Sequence, residues 1–185
     1  MAKKTKITQD NINSVINEKE INNALFSGIN FSGYKFDLKK FNDCDFENCN
    51  LSNVSLKNTS LNNVEFIKSK IMGIKFYEIS KAISNFGFEK CNINLSSFSD
   101  MKLESINFWE SSVIDTDFMR VKLNKANFYY CDLDKCRIVE CDLEKADFRW
   151  AKNFNINPEY NKLSKTIFSN DNTHRLLDYL DIIIE

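Results

Sequence analysis

The sequence predicts an all-β solenoid built from five-residue repeats, and three observations lead to that prediction. Large apolar residues recur at every fifth position along most of the 185-residue chain. Phenylalanine is abundant, with 16 residues, and most of them fall on the recurring position. Only 4 Gly and 1 Pro are present, so other residues must make the turns of this fold.

The recurring apolar residue defines the central position of each repeat. Every fifth residue from Phe26 to Phe76, and again from Ile83 to Phe148, is large and apolar. Between Phe76 and Ile83 the phase slips by two residues, which predicts a bulge or small loop. A period of five matches neither the helical period of 3.6 nor the strand period of 2. Each repeat is therefore expected to form one side of a coil and one corner.

The position two residues before each centre is predicted to point inward and to pack beside the large central residue. It is mostly small or β-branched, and it holds all six cysteines: Cys44, Cys49, Cys91, Cys131, Cys136 and Cys141. Their spacing lacks the C-x2-C pattern of a zinc site, so we expect reduced thiols that pack as small hydrophobic groups, and no metal. Lys39 and Lys81 occupy the same position and must reach solvent or mark an irregularity.

The repeats resemble those of the pentapeptide-repeat proteins. The resemblance is carried by units such as CDFEN (44–48), CDLDK (131–135), CDLEK (141–145) and ADFRW (146–150), and it covers roughly residues 24–150. It implies a right-handed quadrilateral β-helix with four repeats per coil. The repeats found would make about six coils, and these would stack into a rod of roughly 30 Å.

Both ends of such a rod need covering, which divides the chain into three segments. Residues 1–23 are expected to form an N-terminal cap or arm, and 24–150 the β-helix with a two-residue break near 77–82. Residues 151–185 are expected to form a capping or dimerisation segment. Near the N-terminus Ile12, Val15 and Ile16 have helical spacing after Thr8, which fits a short capping helix or a frayed arm.

The C-terminal segment is predicted to contain a short helix that begins near Asp171. Its apolar residues, followed by an apolar tail, are too hydrophobic to remain in water: Leu176, Leu177, Leu180, Ile182, Ile183 and Ile184. They indicate either an end cap or the interface of a homodimer. In several pentapeptide-repeat proteins a C-terminal helix pairs two rods end to end, so the resemblance favours the dimer as much as the cap.

The residues give no support for catalysis. The single histidine, His174, has no evident nucleophile partner, and the carboxylates lie at outward positions where no raised pKa is expected. We therefore predict a protein that is not an enzyme and needs no cofactor. The net charge of -1 gives no drive toward nucleic acid or anionic membranes. The sequence shows no signal peptide or apolar span, so a cytoplasmic location is expected.

One side of the coil is predicted to be an interaction surface. When every fourth repeat is assigned to one side, that side carries both Trp residues beside several acids. The candidate surface consists of Asp45, Glu47, Glu65, Glu89, Trp109, Glu110, Tyr129, Tyr130, Arg149 and Trp150. Two interpretations remain open. Either the C-terminal segment, with Phe154 or Tyr160, folds over the aromatic residues, or a protein partner does.

Two functions follow from this surface. The first is a rigid scaffold that binds a protein partner of unidentified type through the aromatic and acidic side. The second is implied by the resemblance, since the Qnr- and McbG-like members mimic DNA and bind DNA gyrase or topoisomerase IV, which protects against quinolones or toxins. A continuous negative stripe along the rod would favour the second function, and an interrupted stripe the first.

Overall fold

The computed structural model describes residues 4–81, 84–180 and 182–183 and shows a β-solenoid of about eight turns. Most sides of the coil are short strands or single bridges. The strands are β1 (Thr5–Ile7), β2 (Glu20–Asn22), β3 (Ala24–Ser27), β4 (Lys40–Asn42), β5 (Asp45–Glu47), β6 (Ser60–Ile67), β7 (Asn85–Glu89), β8 (Asp117–Met119), β9 (Arg137–Val139), β10 (Asp147–Phe148) and β11 (Ile167–Phe168). Short 3₁₀ turns span Ile12–Ser14 and Phe76–Glu78, and a 3₁₀ helix spans Asn170–Leu180.

The pairing register shows that one coil contains four repeats. All the strand pairs are parallel, and Phe26 pairs with Phe46, which pairs with Phe66, at steps of twenty residues. The other sides have the same spacing, as in the pairing of Phe41 with Leu61. The predicted solenoid with four repeats per coil is therefore confirmed, and residues twenty apart lie directly above one another.

The centres of the repeats point inward and form the core. Twelve Phe side chains are among the largest fully buried groups, and those on one side stack face to face from coil to coil. Phe98 and Phe118, for example, have ring centroids 5.2 Å apart and planes inclined by 4°. Neighbouring sides meet edge to face, as for Phe98 and Phe108 at 5.5 Å and 88°. Offset and edge-to-face contacts are the geometries that aromatic rings favour.

The small residues before each centre satisfy the backbone at the corners. The Thr59 hydroxyl donates to the Phe36 carbonyl at 2.7 Å, and the Cys131 thiol donates to the Phe108 carbonyl at 2.8 Å. In both pairs the acceptor lies in the preceding coil. A buried carbonyl needs a partner, so short side chains with a donor suit this position. Lys39 escapes as expected: its ammonium group donates to the Glu18 carbonyl at 2.6 Å.

The turns are made by residues in the left-handed region rather than mainly by glycine. The last residue of nearly every repeat has positive φ, and it is Gly only at Gly28, Gly33 and Gly73. Elsewhere the same conformation is held by residues such as Leu38, at 63°, and Lys135, at 57°. This conformation costs a non-glycine residue roughly 1–2 kcal/mol. The stacking of the coils must offset that cost at each corner.

The break in the repeat changes the spacing between coils from twenty to twenty-two. Phe66 pairs with Phe88, and the register shifts between Asn62 and Val64. The Ser84 hydroxyl donates to the Ser80 carbonyl at 2.9 Å and so ties the two ends of the interruption together. Ile83, the predicted first centre after the slip, lies outside the described residues.

The solenoid has about eight turns rather than six, because coil pairing extends past both ends of the regular repeat. At the start, β1 pairs with β3 and sets Ile7 beneath Phe26. At the end, Phe148 pairs with Phe168. The spacing of the centres is irregular here, with nineteen residues from Ile7 to Phe26, so a count in steps of five stops too early. The division at residues 23 and 150 remains a prediction about domains.

Both ends of the described rod are closed by short local structures. At the N-terminal end a single 3₁₀ turn replaces the expected helix, and Ile12 and Ile16 are buried. At the C-terminal end the side-chain NH₂ group of Asn172 is buried and donates to the backbone carbonyls of Phe148, at 3.2 Å, and Ala151, at 3.0 Å. Among the residues described, none belongs to a helix able to cross a membrane.

Candidate functional site

The predicted interaction surface lies on one side of the rod, which we call the aromatic face. It consists of the outward residues of the repeats centred on Phe26, Phe46, Phe66, Phe88, Phe108, Phe128 and Phe148. Strand and bridge pairing stacks these repeats directly upon one another. The structure therefore brings all ten predicted surface residues onto one side, with acids toward the N-terminal end and aromatic residues toward the C-terminal end.

Two amide side chains and one carboxylate hold the backbone in the C-terminal half of the aromatic face, which carries the Trp and Tyr residues. Asn127 accepts a hydrogen bond from the Tyr129 amide at 3.0 Å, and Asn107 accepts one from the Trp109 amide at 3.2 Å. The Asn127 amide group also donates to Asn107 at 2.9 Å, which links the two coils. Asp147 accepts from the Arg149 amide at 3.0 Å. The backbone amides of Trp109, Tyr129 and Arg149 are therefore each held by the side chain two positions before them.

Cations cover the faces of two aromatic rings. The Lys90 ammonium lies 4.7 Å from the Trp109 ring centroid and 3.4 Å from the Glu110 carboxylate. The Arg149 guanidinium lies 5.4 Å from the Tyr129 ring centroid. These geometries are typical of cation–π contacts. Trp109 and Tyr129 are consequently half-buried rather than free.

The other two aromatic residues are open to solvent. Tyr130 is 48% exposed and Trp150 is 45% exposed, and their rings are stacked 6.1 Å apart with planes inclined by 13°. Tyr129 meets Tyr130 edge to face at 4.7 Å. Both Tyr130 and Trp150 are corner residues with positive φ, so a strained turn presents each of them. They form a pre-ordered apolar ridge at the edge of the aromatic face.

The C-terminal segment leaves this ridge uncovered among the described residues. Phe154 is fully buried in the core, where its ring lies 5.5 Å from Phe168. Tyr160 is exposed, and its backbone carbonyl accepts a hydrogen bond from the backbone N–H of Glu140, on a different side of the rod. The segment does touch Trp150, whose amide donates to the Ser169 hydroxyl at 2.7 Å. The contact holds the backbone and leaves the indole exposed.

The acids toward the N-terminal end are only partly neutralised. Lys4 pairs with Asp45 at 2.5 Å, a contact that the repeat pattern could not reveal because Lys4 precedes the repeats. The Glu65 carboxylate lies against Gly87 of the next coil, where a Cβ atom would meet its oxygen at 2.8 Å. Burial, and then the charge of Asp45, raise the pKa of Glu65. Because Gly87 has no side chain, the Glu65 carboxylate can lie against the backbone of the next coil.

Comparison with known proteins identifies the repeats. The model for "Pentapeptide repeats (8 copies)" matches residues 40–76, and that for "Pentapeptide repeat region" matches residues 80–148, which together make up more than half of the chain. The chain is a pentapeptide-repeat protein. A search of curated proteins finds no match to its sequence.

This pentapeptide-repeat protein is similar to several solved structures at low identity. Full-length QnrB1, a plasmid-mediated fluoroquinolone resistance protein, is 16% identical over 96% of this chain and 95% of its own, with a TM-score of 0.42. Rfr23 from the cyanobacterium Cyanothece 51142 is 12% identical over 86% and 98%, with a TM-score of 0.40. HetL from Nostoc sp. strain PCC 7120, involved in heterocyst differentiation regulation, is 11% identical over 83% and 89%, with a TM-score of 0.32.

The cysteines of this pentapeptide-repeat protein are buried and free of disulfides. Burial raises the pKa of the Cys91, Cys131 and Cys136 thiols to about 12, and that of Cys141 to about 11. A thiol with so high a pKa is a poor nucleophile and a poor metal ligand at neutral pH. Within the described ranges, no group of three His, Cys, Asp or Glu residues is placed to hold a metal ion.

The predicted dimer or cap residues divide into two groups. Leu176 packs against the core, as a cap residue would. Leu177 and Leu180 on the 3₁₀ helix are exposed, and so are Ile182 and Ile183 beyond it. Ile184 lies outside the described residues. An apolar surface is thus presented at the C-terminal end of the rod.

Proposed function

We propose that this pentapeptide-repeat protein is a non-enzymatic, cytoplasmic scaffold that binds a protein partner through the C-terminal half of its aromatic face. The observation that supports this proposal is the stacked and exposed pair Tyr130 and Trp150. Large aromatic side chains that stand together in water are uncommon on a monomer and are typical of contact surfaces. Trp, Tyr and Arg are also the residues that contribute most often to binding energy.

The backbone beneath this surface favours binding at low entropic cost. Tyr130 sits on a coil whose neighbours above and below are paired to it through Asn107, Asn127 and Asp147. Its ring is further ordered by Tyr129 and Trp150. Little freedom is left to lose on association, so more of the contact energy appears as affinity.

The charges around the ridge indicate the chemistry of the partner. Among the described residues Glu47, Glu65 and Glu89 have no ion pair, while Arg149 is held by Asp147 at 2.6 Å. A partner that fits this face carries an apolar pocket for the Tyr130–Trp150 ridge and basic groups toward the N-terminal end. Polyanions are repelled by the free acids, so the proposal includes no direct nucleic-acid binding and no membrane.

A quantitative capture experiment tests the proposal. The immobilised chain is exposed to a lysate of the source organism, and retained proteins are compared with those held by a Tyr130→Ala/Trp150→Ala variant. The control is Leu38→Ala/Leu95→Ala, which truncates two exposed apolar residues at equivalent positive-φ corners. We expect a protein retained by the parent and the control to be reduced about tenfold or more by the ridge variant. Equal retention by all three would contradict the proposal.

The runner-up function is a DNA mimic that binds gyrase or topoisomerase IV. Three acids of the aromatic face favour it, namely Glu47, Glu65 and Glu89, which make no ion pair with any residue that the structure describes. Other acids of that face are neutralised within the chain, since Asp45 pairs with Lys4 and Glu110 with Lys90. The negative stripe is therefore interrupted, which supports the scaffold instead.

A supercoiling and cleavage assay separates these two functions. Purified gyrase and topoisomerase IV are assayed with micromolar chain, with and without a fluoroquinolone. Inhibition of supercoiling, or rescue from drug-stabilised cleavage, supports the DNA mimic if Glu47→Lys/Glu65→Lys/Glu89→Lys abolishes the effect. If neither enzyme is affected, the DNA-mimic function is excluded and the scaffold function remains.

We also propose that two chains pair through the C-terminal segment. The exposed residues Leu177, Leu180, Ile182 and Ile183 support this, because a second copy of the chain could cover apolar side chains at the end of a rod. Such a dimer would place two aromatic faces on one long rod and raise the avidity for a partner that has two sites.

A further inference from the structure

A cavity of about 450 Å³ lies where the repeat is interrupted. It opens between the end of the coil that contains Tyr77 and the next coil at Ser99–Leu103. A gap of about 410 Å³ also lies beside Val121 and Cys141 on later coils, but most of the residues that line it are charged: Arg120, Lys122, Glu140, Asp142 and Lys162. The cavity beside Tyr77 differs from it in having an apolar floor.

The floor of this cavity is apolar. In other coils the same corner is occupied by a lysine or by small or β-branched residues: Lys39, Thr59, Val121 and Cys141. In the two coils that border the cavity the corner residues that pack inward are Ile79 and Met101, while Lys81, which the repeat phase assigns to this corner, is exposed. Ile79 is buried, and Met101 is half-buried against the core, with Leu103 beside it. Each of these three side chains contributes to the lining of the cavity.

The rim of the cavity carries positive charge. Lys81 and Lys102 line it and are exposed, and within the described ranges neither makes an ion pair. The one acid of the rim, Asp100, is engaged elsewhere: the Arg120 guanidinium donates to both of its oxygens, at 2.6 and 2.9 Å. The hydrogen bonds and charge of Arg120, and then the charge of Lys81, lower the pKa of Asp100. Lys81 therefore shares its charge with Asp100, and within the described ranges Lys102 has no carboxylate within ion-pair distance and is available to an anion.

We propose that this cavity binds a small organic acid that joins an apolar ring to a carboxylate. The ring lies on Ile79, Met101 and Leu103, and the carboxylate lies between Lys81 and Lys102 at the rim. The volume is within the range of about 300–1,000 Å³ that is usual for small-molecule sites, and an apolar floor with a few polar groups is their usual lining. This site is separate from the aromatic face and does not depend on the proposed protein partner.

Methyl NMR with 1-naphthoate as the probe tests this site directly. The protein is labelled with ¹³C-methyl methionine, so that Met101 reports on the cavity while Met72 reports on another side of the rod. We expect 1-naphthoate to shift the Met101 signal saturably, with a Kd of about 1 mM or tighter, and to leave the Met72 signal unchanged. No saturable shift of Met101, or equal shifts of the Met101 and Met72 signals, would overturn the proposal.

The role of the charge is tested with a neutral probe and a matched variant. We expect 1-naphthalenemethanol to bind about fivefold more weakly than the acid. Lys81→Gln/Lys102→Gln should remove that preference, and Lys122→Gln/Lys125→Gln, on the next coil, should keep it. Equal affinity of the parent for the acid and the alcohol, or loss of the preference in both variants, would show that the two rim lysines do not select a carboxylate.

Discussion

The rings of Phe108 and Phe128, twenty residues apart, stack with centroids 4.9 Å apart and planes inclined by 8°. Phe88 stacks on the other face of Phe108 at 5.3 Å. Each ring in the interior of this column is therefore held between the rings of the coils before and after it. The contact that builds the core is repeated from coil to coil, and the loss of one ring disturbs two interfaces.

Removal of one ring tests the inward assignment of the centres. Phe108→Ala empties a fully buried position and should lower the free energy of unfolding by roughly 3–5 kcal/mol, measured by urea titration. Tyr160→Ala, which truncates an exposed ring, serves as the control and should change stability little. A Phe108→Ala protein as stable as the parent would contradict the assignment.

A corner substitution tests the strain of the positive-φ turns. Leu38 has φ of 63° and is 71% exposed, so its side chain contributes little to packing. Leu38→Gly should stabilise the fold by about 1 kcal/mol relative to Leu38→Ala, because only the alanine keeps the Cβ atom that disfavours this conformation. The two variants are compared by thermal unfolding. If the alanine variant is as stable as the glycine variant, the turns store no such strain.

The buried thiols predict a loss of stability at alkaline pH. The pKa of Cys131 is raised from 9.0 to about 12 in the folded chain, so above pH 9 the unfolded chain loses a proton that the folded chain keeps. The protonated Cys131 thiol contributes fully to the stability of the fold below pH 9, and this contribution decreases as the pH rises from 9 to 12. At pH 10 the free energy of unfolding is lower by about 1.4 kcal/mol for this reason.

Cys131→Ala isolates this effect, and alanine already occupies the same corner one coil later at Ala151. Urea unfolding under reducing conditions at pH 7.5 and pH 10 gives the change in stability for each protein. The variant should lose about 1.4 kcal/mol less than the parent between these values. Identical losses would mean that Cys131 ionises in the folded chain as readily as in the unfolded one.

Charge substitutions in the C-terminal segment test the proposed dimer. Leu177→Asp/Leu180→Asp places two carboxylates in the apolar end surface and should convert a dimer into a monomer, because a buried unpaired charge is costly. Light scattering measures the mass of the parent, of this variant and of a Tyr160→Asp control. A monomeric parent, or a variant that keeps the dimeric mass, would exclude these residues as the interface.

The fold was predictable from the sequence because the inward position repeats so strictly. Phe26 to Phe148 mark the core, and the register of four repeats per coil follows from the resemblance. The ends were not predictable by counting, since Ile138 pairs with Ile156 only eighteen residues later and Ile7 lies nineteen before Phe26. The pairing of the backbone continues there although the spacing of the side chains does not.

The aromatic face was predictable in composition but not in detail. Sequence spacing, together with the four repeats per coil that the resemblance implies, placed Trp109, Tyr130 and Trp150 on one side. It could not show that Lys90 covers Trp109 while Tyr130 and Trp150 stay open, since these outcomes depend on rotamers of neighbouring coils. The cavity beside Met101 was also missed, because a two-residue slip does not indicate which corner opens.

Site-specific photo-crosslinking tests the central claim that the aromatic face binds a protein. p-Benzoylphenylalanine replaces Tyr130 in one protein and Leu95 in another, and both positions are exposed corners with positive φ, at 58° and 62°. After irradiation in cells of the source organism, we expect a discrete crosslinked protein from position 130 and none from position 95. No crosslink from position 130, or the same products from both positions, would contradict the claim.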